Sequence, residues 1–483
     1  MNNQEGKKPF YITTTLPYVN SAPHIGFALE IVRADAIARF YRLMGHDVFF
    51  NTGTDEHGTK IYQKALELGK NPKEYTDEMS EHFKSLKDLL NLSYDKFIRT
   101  TYAHHEEAAQ EFWKRCDKAG YIYKKKYSGL YCVGCEMFLQ EKDLVNGECP
   151  HHPGKKLNML EEENYFFKFS AFTDVIKKYF NENKDFVIPE SRANEMKAYL
   201  ERGLEDFSIS RLKEKMPWGV PVPGDDEQVM YVWFDALVNY VSTLGWPEDE
   251  KGLFEKFWVN GTVVQICGKD NTQHQSLRWQ AMLNSIDLPF SRHILVNGFI
   301  NVDGQKMSKT LGNVIDPVDL VKEYGTDAVR YFFLRELNPN EDSDFTFDKM
   351  KETYNANLAN GLGNLASRIM KMAEDNLESA PEIPEESIPQ EYKDFMYAFE
   401  YQKAMDFTWK KIGDLDTRIQ KEEPFKLVKV NKEEAIEIIK QLAVELYTIG
   451  RMLYPFMPET NVKIKEMVKA NKKPAEPLFA RKD

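Results

Sequence analysis

The sequence predicts a doubly wound, Rossmann-type α/β fold with a parallel sheet, interrupted by an insert and followed by a C-terminal α-helical bundle. Three observations carry this. The chain opens with a strand, a loop and an amphipathic helix, followed by a second strand. That alternation breaks near Gly120 and resumes after about Met230. Beyond Met350 the pattern is helical, with no strong strand signal.

The elements follow in order. Phe10-Tyr11-Ile12-Thr13-Thr14-Thr15 is β-branched and aromatic, as a strand requires. Pro17, Asn20, Ser21 and Pro23 mark a loop. From His24 to Met44 the apolar residues Leu29, Val32, Ala36, Phe40 and Leu43 recur at helical spacing, and Gly45 ends the run. Val48-Phe49-Phe50 is a second strand, leading into Thr52-Gly53-Thr54-Asp55-Glu56-His57-Gly58. The first half of the α/β domain thus spans 1–120, and an insert rich in turn signals spans 121–230. The second half, 231–298, holds a strand at Thr262 to Ile266, a helix at Gln273 to Leu283 and a strand at Ile294 to Val296. A linker region covers 299–350 and the helical domain 351–483, with Ser379 to Pro389 as an acidic, proline-bearing loop.

A length of 483 residues fits about three domains. No apolar run approaches the roughly 18–20 residues of a membrane helix. The polar start, Met1 to Lys8, has no secretory pattern, so a cytoplasmic location without membrane attachment is expected. A net charge of -12 argues against a bulk nucleic-acid coat. The tail from Val462 to Asp483 carries seven Lys/Arg against three Asp/Glu, which suits either a solvated tail or a phosphate contact.

Two segments carry phosphate chemistry. His24-Ile25-Gly26-Phe27 opens a helix, whose N-terminus offers free N–H groups and partial positive charge. Gly26 allows close backbone approach of a nucleotide, and His24 can donate to phosphate oxygens as charge develops. Lys306-Met307-Ser308-Lys309-Thr310 follows a turn at Asp303-Gly304-Gln305, and its two lysines can close on a triphosphate. A third segment carries metal chemistry. Cys132-x2-Cys135-x13-Cys149-x2-His152 has zinc-ligand spacing, and four protein ligands make the ion structural. His151 competes as fourth ligand, with the x2 spacing favouring His152. Cys116 and Cys267 read as buried, small apolar residues.

At the two phosphate motifs the chain resembles the class I aminoacyl-tRNA synthetases, whose signatures are H-I-G-H and K-M-S-K-S. Four further segments narrow the resemblance to the methionyl-tRNA synthetases: Leu16-Pro17-Tyr18-Val19-Asn20, the Thr52 to Gly58 segment, Tyr231-Val232-Trp233-Phe234-Asp235-Ala236-Leu237 and Asn364-Leu365-Ala366-Ser367-Arg368. The resemblance implies ATP-dependent methionylation of tRNA(Met) through an adenylate, with Mg²⁺ accompanying ATP. It implies catalytic roles for His24, Lys306 and Lys309, and ATP contacts that add Gly26, Phe27 and Ser308. It implies an L-methionine pocket of Leu16, Tyr18, Trp233, Ala236, Leu237 and Tyr240, with Asp55 for the ammonium group. Asn364 and Arg368 would read the anticodon, and Phe425 would stack on a base where relatives use Trp.

Two positions depart from the family: Phe27 stands for the second histidine of the first motif, and Gln275 for a pocket histidine, with His274 beside it. The insert would be the connective domain, too short at roughly 110 residues for a large editing domain. No long extension follows the bundle, so a monomer is expected. The alternatives are another class I synthetase, such as the cysteine enzyme, and a non-catalytic tRNA-binding paralogue.

Overall fold

The structure, a computed structural model, describes residues 8–132, 137–139, 144–150, 152–307, 312–384 and 388–483. Six strands form one parallel sheet: β1 (Phe10–Thr13), β2 (Val48–Thr54), β3 (Lys96–Arg99), β4 (Val187–Ile188), β5 (Thr262–Gly268) and β6 (His293–Asn297). They lie in the order β3-β2-β1-β5-β6-β4. The inner strands are rich in Val, Ile, Phe and Thr and buried on both faces, as a parallel sheet sandwiched between helices demands. Sequence order reverses between β1 and β5, and a crevice opens there beyond the carboxyl ends of the strands.

The first helix, α1 (Ile25–Leu43), is more deeply placed than its apolar stripe foretells: 16 of its 19 residues are buried. The sheet takes one face and the C-terminal helices take the other, where the Phe40 ring meets Tyr392 and Tyr397 edge-on. Its charged residues survive burial by pairing. Asp35 bonds Arg39 at 2.7 Å and Arg330 at 2.8 Å. Against the cost of burial, the Arg330 and Arg39 guanidiniums hold the Asp35 carboxyl below its ordinary value.

Residues 121–230 divide their loyalties. Ile122–Cys132, Met137–Leu139, Asn158–Phe167 and Phe207–Ser208 make an antiparallel sheet of their own, while Val187–Ile188 adds to the edge of the central sheet. The chain returns to the α/β body through Trp218, whose indole Nε1 donates to the Glu56 carbonyl at 2.6 Å, while the Gly58 amide donates to the Trp218 carbonyl at 2.9 Å. Two helices then flank the crevice side of the sheet, α2 (Ala103–Lys118) and α3 (Val232–Ser242), and a third, α4 (Trp279–Ser285), follows β5.

Past β6, Ile300–Val302 and Gln305–Lys306 form a hairpin whose turn, Asp303 (φ 50) and Gly304 (φ 75), is left-handed at both central residues. The C-terminal region is helical, with α5 (Asn364–Asn376), α6 (Tyr401–Glu422), α7 (Lys432–Leu453) and α8 (Pro458–Ala470). The basic tail does not stand off in solvent. Tyr354 Oη donates to the Ala480 carbonyl at 2.9 Å, and Asn355 exchanges two hydrogen bonds with the Lys482 backbone. Among the described residues no helix is long and apolar enough to cross a membrane.

Candidate active site

The crevice holds a small cavity, with about 310 Å³ of empty space when its open mouth is included. Thr15 and Leu16 reach it from the end of β1, Asp55 from the end of β2, and Asn271 and Gln275 from beyond β5. Trp233, Ala236, Leu237, Asn239 and Tyr240 come from α3. The cavity therefore gathers seven of the eight residues assigned to the pocket from sequence. The eighth, Tyr18, sits beside it, bridged to Asp55 through the backbone: the Asp55 amide donates to the Pro17 carbonyl and the Val19 amide to the Asp55 carbonyl. Thr15, Asn239 and Asn271 were missed. Asn239 was within reach, lying three residues from Ala236 on the same helical face; nothing in the sequence singled out the other two.

The neighbours at 274 and 275 are separated by a wide, π-type turn over His274–Arg278. Such turns re-aim side chains at sites. Gln275 faces the cavity, and its Nε2 donates to Tyr240 Oη at 2.6 Å. His274 instead stacks flat on Trp233, 3.9 Å between centroids and 8° between planes. Burial, and then the Arg278 charge, push its imidazole well below the ordinary value, so it packs as a neutral ring.

The polar end of the cavity is braced from behind. Glu30 on α1 accepts from the Thr15 amide at 2.8 Å and from Thr15 Oγ1 at 2.6 Å. Burial pushes its carboxyl up to about 7, even though the Thr15 bonds offset part of the rise. His57, two residues past Asp55, holds Asp235 of α3 at 2.8 Å through Nδ1 and faces Glu106 at 3.6 Å. Burial alone would lower His57, but the Asp235 carboxylate outweighs it and pushes the imidazole up to about 10. The buried pair thus ties the loop of Asp55 to the helix of Tyr240.

The two phosphate motifs, far apart in sequence, meet. His24 caps α1, its Nδ1 accepting from the Gly26 amide at 3.0 Å, which leaves the ring hydrogen on Nε2. A Cβ on Gly26 would fall 2.8 Å from His24 Cε1 and 3.5 Å from Met307 Cε, so glycine lets both motifs close over this turn. The Ile25 amide donates to the Ile315 carbonyl at 3.1 Å, stitching the helix start to the irregular segment that follows the second motif. Lys306 projects over the Phe299 ring, 5.1 Å from its centroid. Ser308 and Lys309 lie outside the described residues. Phe27 is turned into the core and meets Phe83 edge-on at 5.5 Å.

Away from the crevice, Cys132, Cys149 and His152 converge: their ligand atoms lie within 4.8 Å of one another, with His152 Nδ1 3.9 Å from one sulfur and 3.8 Å from the other. Zinc bonds of 2.3 Å to sulfur and about 2.0 Å to nitrogen, at a tetrahedral angle, put S and N roughly 3.6 Å apart. The three donors fit such an ion, and Cys135 and His151 lie outside the described residues. In the helical region Asn364 is exposed at the start of α5, while Arg368 pairs with Asp416 of α6. Phe425 is 47% exposed, just after Glu423, whose left-handed backbone ends α6.

The family model of the class I tRNA synthetases (M) matches residues 10–159 and 152–370. A methionine–tRNA ligase of Caldanaerobacter subterraneus is 40% identical over 477 residues, covering 96% of this chain and 74% of that protein. The solved Mycobacterium tuberculosis methionyl-tRNA synthetase in complex with methionyl-adenylate superposes with a TM-score of 0.90 at 35% identity, over 98% of this chain and 100% of that one. The apo form of the same enzyme gives 0.84 at 31% identity, over 100% of both.

Proposed function

The chain belongs to the methionyl-tRNA synthetase family of class I tRNA synthetases, and from that membership we propose which of its residues perform the family's reaction. The enzyme is a methionine–tRNA ligase: it activates methionine with ATP as methionyl-adenylate and passes the methionyl group to tRNA. The observation that carries the site assignment is the cavity at the switch point, where an aromatic and aliphatic wall faces a single carboxylate. Methionine enters with its thioether among Leu16, Trp233, Ala236, Leu237 and Tyr240, since a polarizable sulfur packs well on aromatic rings. Asp55 takes the ammonium group, a charge-assisted bond. Tyr18 closes the near side.

The methionine carboxylate then attacks the α-phosphorus of ATP. His24 donates from Nε2 to the phosphate oxygens, and the amides around Gly26 at the start of α1 add theirs. Lys306 and Lys309, with Ser308 between them, neutralise the departing pyrophosphate. Mg²⁺ accompanies ATP and supplies further charge neutralisation. Phe27 supports this end by packing, through Phe83, rather than by hydrogen bonding. Residues 1–120 and 231–298 form the catalytic domain, 121–230 the connective insert, 299–350 the stem-contact region and 351–483 the anticodon-binding domain. Cys132, Cys135, Cys149 and His152 hold one structural zinc ion. Asn364 and Arg368 read the anticodon, Arg368 leaving Asp416 to do so, and Phe425 stacks on a base.

The test is methionine-dependent exchange of labelled pyrophosphate into ATP. Methionine drives exchange in this reading; cysteine alone driving it would assign a different substrate, and tRNA binding without any exchange would leave a non-catalytic paralogue. Lys309→Ala should slow exchange on the order of 100-fold while methionine binding holds. Equal activity would remove the loop from the mechanism.

A further inference from the structure

The carboxylate and the apolar wall of the cavity stand on different elements. Asp55 follows β2, while Trp233, Ala236, Leu237 and Tyr240 belong to α3. A ligand gripped at both ends reads the distance between them. What holds the segment of Asp55 against α3 therefore bears on which ligand fits.

The backbone of residues 55–58 is fixed on several sides. The Asp55 amide donates to the Pro17 carbonyl at 3.0 Å, and the Glu56 amide donates to Thr100 Oγ1 at 2.9 Å. The Glu56 carbonyl accepts from the Trp218 indole, and the Gly58 amide donates to the Trp218 carbonyl. These bonds lead to the loop after β1, to the end of β3 and to the insert. None of them leads to α3, and the His57 side chain does. Its Nδ1 lies 2.8 Å from Oδ2 of Asp235, in the first turn of α3, and both residues are buried. The ring is hemmed in on its other sides. Trp218 lies against it, 5.6 Å between centroids, and Nε2 faces Glu106 of α2 at 3.6 Å. Asn51 and Asn239 also join β2 to α3, at 3.2 Å, but from within the strand, before the chain reaches Asp55. His57 itself does not line the cavity.

We propose that His57 is a positioning residue: by tying the segment of Asp55 to the first turn of α3 it fixes the span from carboxylate to wall at the length of methionine, and so sets the preference for methionine over ethionine, its homologue with one more methylene. The inference rests on the methionine reading of the cavity. An apolar pocket refuses an extra methylene only as far as its walls refuse to part. With the tie in place, ethionine must strain it to be held at both ends. Without the tie, methionine loses a span matched to it, while ethionine loses fit and strain together and changes little.

The test separates the two sides of the ring. His57→Asn keeps an N–H donor near the place of Nδ1, and His57→Gln keeps one near the place of Nε2. Pyrophosphate exchange is measured for each with methionine and with ethionine. His57→Gln should raise the KM for methionine about tenfold and lower the methionine-to-ethionine ratio of kcat/KM by the same factor, with kcat and the KM for ATP changed by no more than about threefold. His57→Asn should keep the ratio within about threefold of the unaltered enzyme. Because His57→Gln strands a buried carboxyl, it is accompanied by the double variant His57→Gln with Asp235→Leu. That variant strands no charge, offers position 57 no acceptor and should show the same loss. Equal losses in His57→Asn and His57→Gln would mean that the ring only packs. A loss confined to His57→Asn would assign the effect to Glu106, and an unchanged ratio in the double variant would mean that the bond sets no span. Each of these overturns the inference. Failure of the unaltered enzyme to use methionine at all would instead sink the substrate reading itself.

Discussion

The tip of the insert and the body beneath α1 are held together by different means. Among the described residues of the tip the buried apolar ones are Cys132, Leu139 and Cys149, with Leu144 and Leu157 packed beside them. Around α1 the core runs continuously from the central sheet into the C-terminal helices. Burial at roughly 25 cal/mol per Å² can order the second region and cannot order the first, whose few side chains would not offset the backbone entropy of the loops they join. The body can even absorb buried charge, provided it is paired. The lesson is that the tip depends on donor chemistry and the body on packing.

Four experiments press on that contrast. The largest effect is expected at the tip. Chelation, or Cys149→Ser, should remove metal binding worth on the order of 10 kcal/mol locally. Hydrogen exchange should accelerate across 144–160 while β1 and β5 keep their protection; unchanged protection at the tip would mean that its own packing suffices. The second strikes the body. Asp35→Ala leaves Arg330 and Arg39 buried without their shared carboxylate, and should cost about 3–5 kcal/mol in urea unfolding. A loss under about 1 kcal/mol would show that the carbonyls around Arg330 already satisfy it.

The third uses pH. His57, raised to about 10, contributes stability that is whole below its unfolded value near 6.5 and is lost as pH rises through about 10. His105, pushed by burial and by the His57 charge down to about 3, contributes stability that is whole above about 6.5 and is lost as pH falls through about 3. Urea midpoints should therefore fall on both sides of neutrality. Removing the alkaline limb is the signature expected of His57→Asn, and an alkaline limb that persists in that variant would assign it elsewhere. The smallest effect belongs to Phe27→His, which exchanges a ring packed on Phe83 for a more polar one and should cost about 1–2 kcal/mol. Pyrophosphate exchange that rose several-fold would show that position 27 can reach phosphate after all.

How much of this the sequence disclosed depends on the kind of signal. The strand–loop–helix opening, the resumed strands at β5 and β6 and the helical C-terminus were all legible, because each is a run long enough to show its period. Val187–Ile188 was not: two residues have no period, and they join the sheet only because β6 offers an open edge. Helix α1 reads as one apolar stripe, since Asp35 and Arg39 look like solvated positions until Arg330, almost 300 residues later, pairs with them. The tail showed its charge and hid its docking, because the carbonyls of Ala480 and Lys482 that take part in it carry no side-chain signature, and Leu478 and Phe479, which pack on the core, are too few to show a period. Pocket residues were legible through resemblance. The split between Gln275 and His274 was not, since a wide turn in a helix leaves no mark in composition.

The junction at Trp218 has a wider consequence. Two hydrogen bonds, to Glu56 and from Gly58, bring the outgoing end of the insert back to the segment that bears Asp55. The antiparallel sheet of the insert thus forms a side branch whose root is pinned here, while Val187–Ile188 ties another part of the same insert to the edge of the central sheet. A lineage could lengthen, trim or replace the outer part of that branch without displacing the carboxylate at its base, because doubling a loop adds only about 0.6 kcal/mol of closure cost. The same two bonds make the root a place where such remodelling would be felt at once by the reaction.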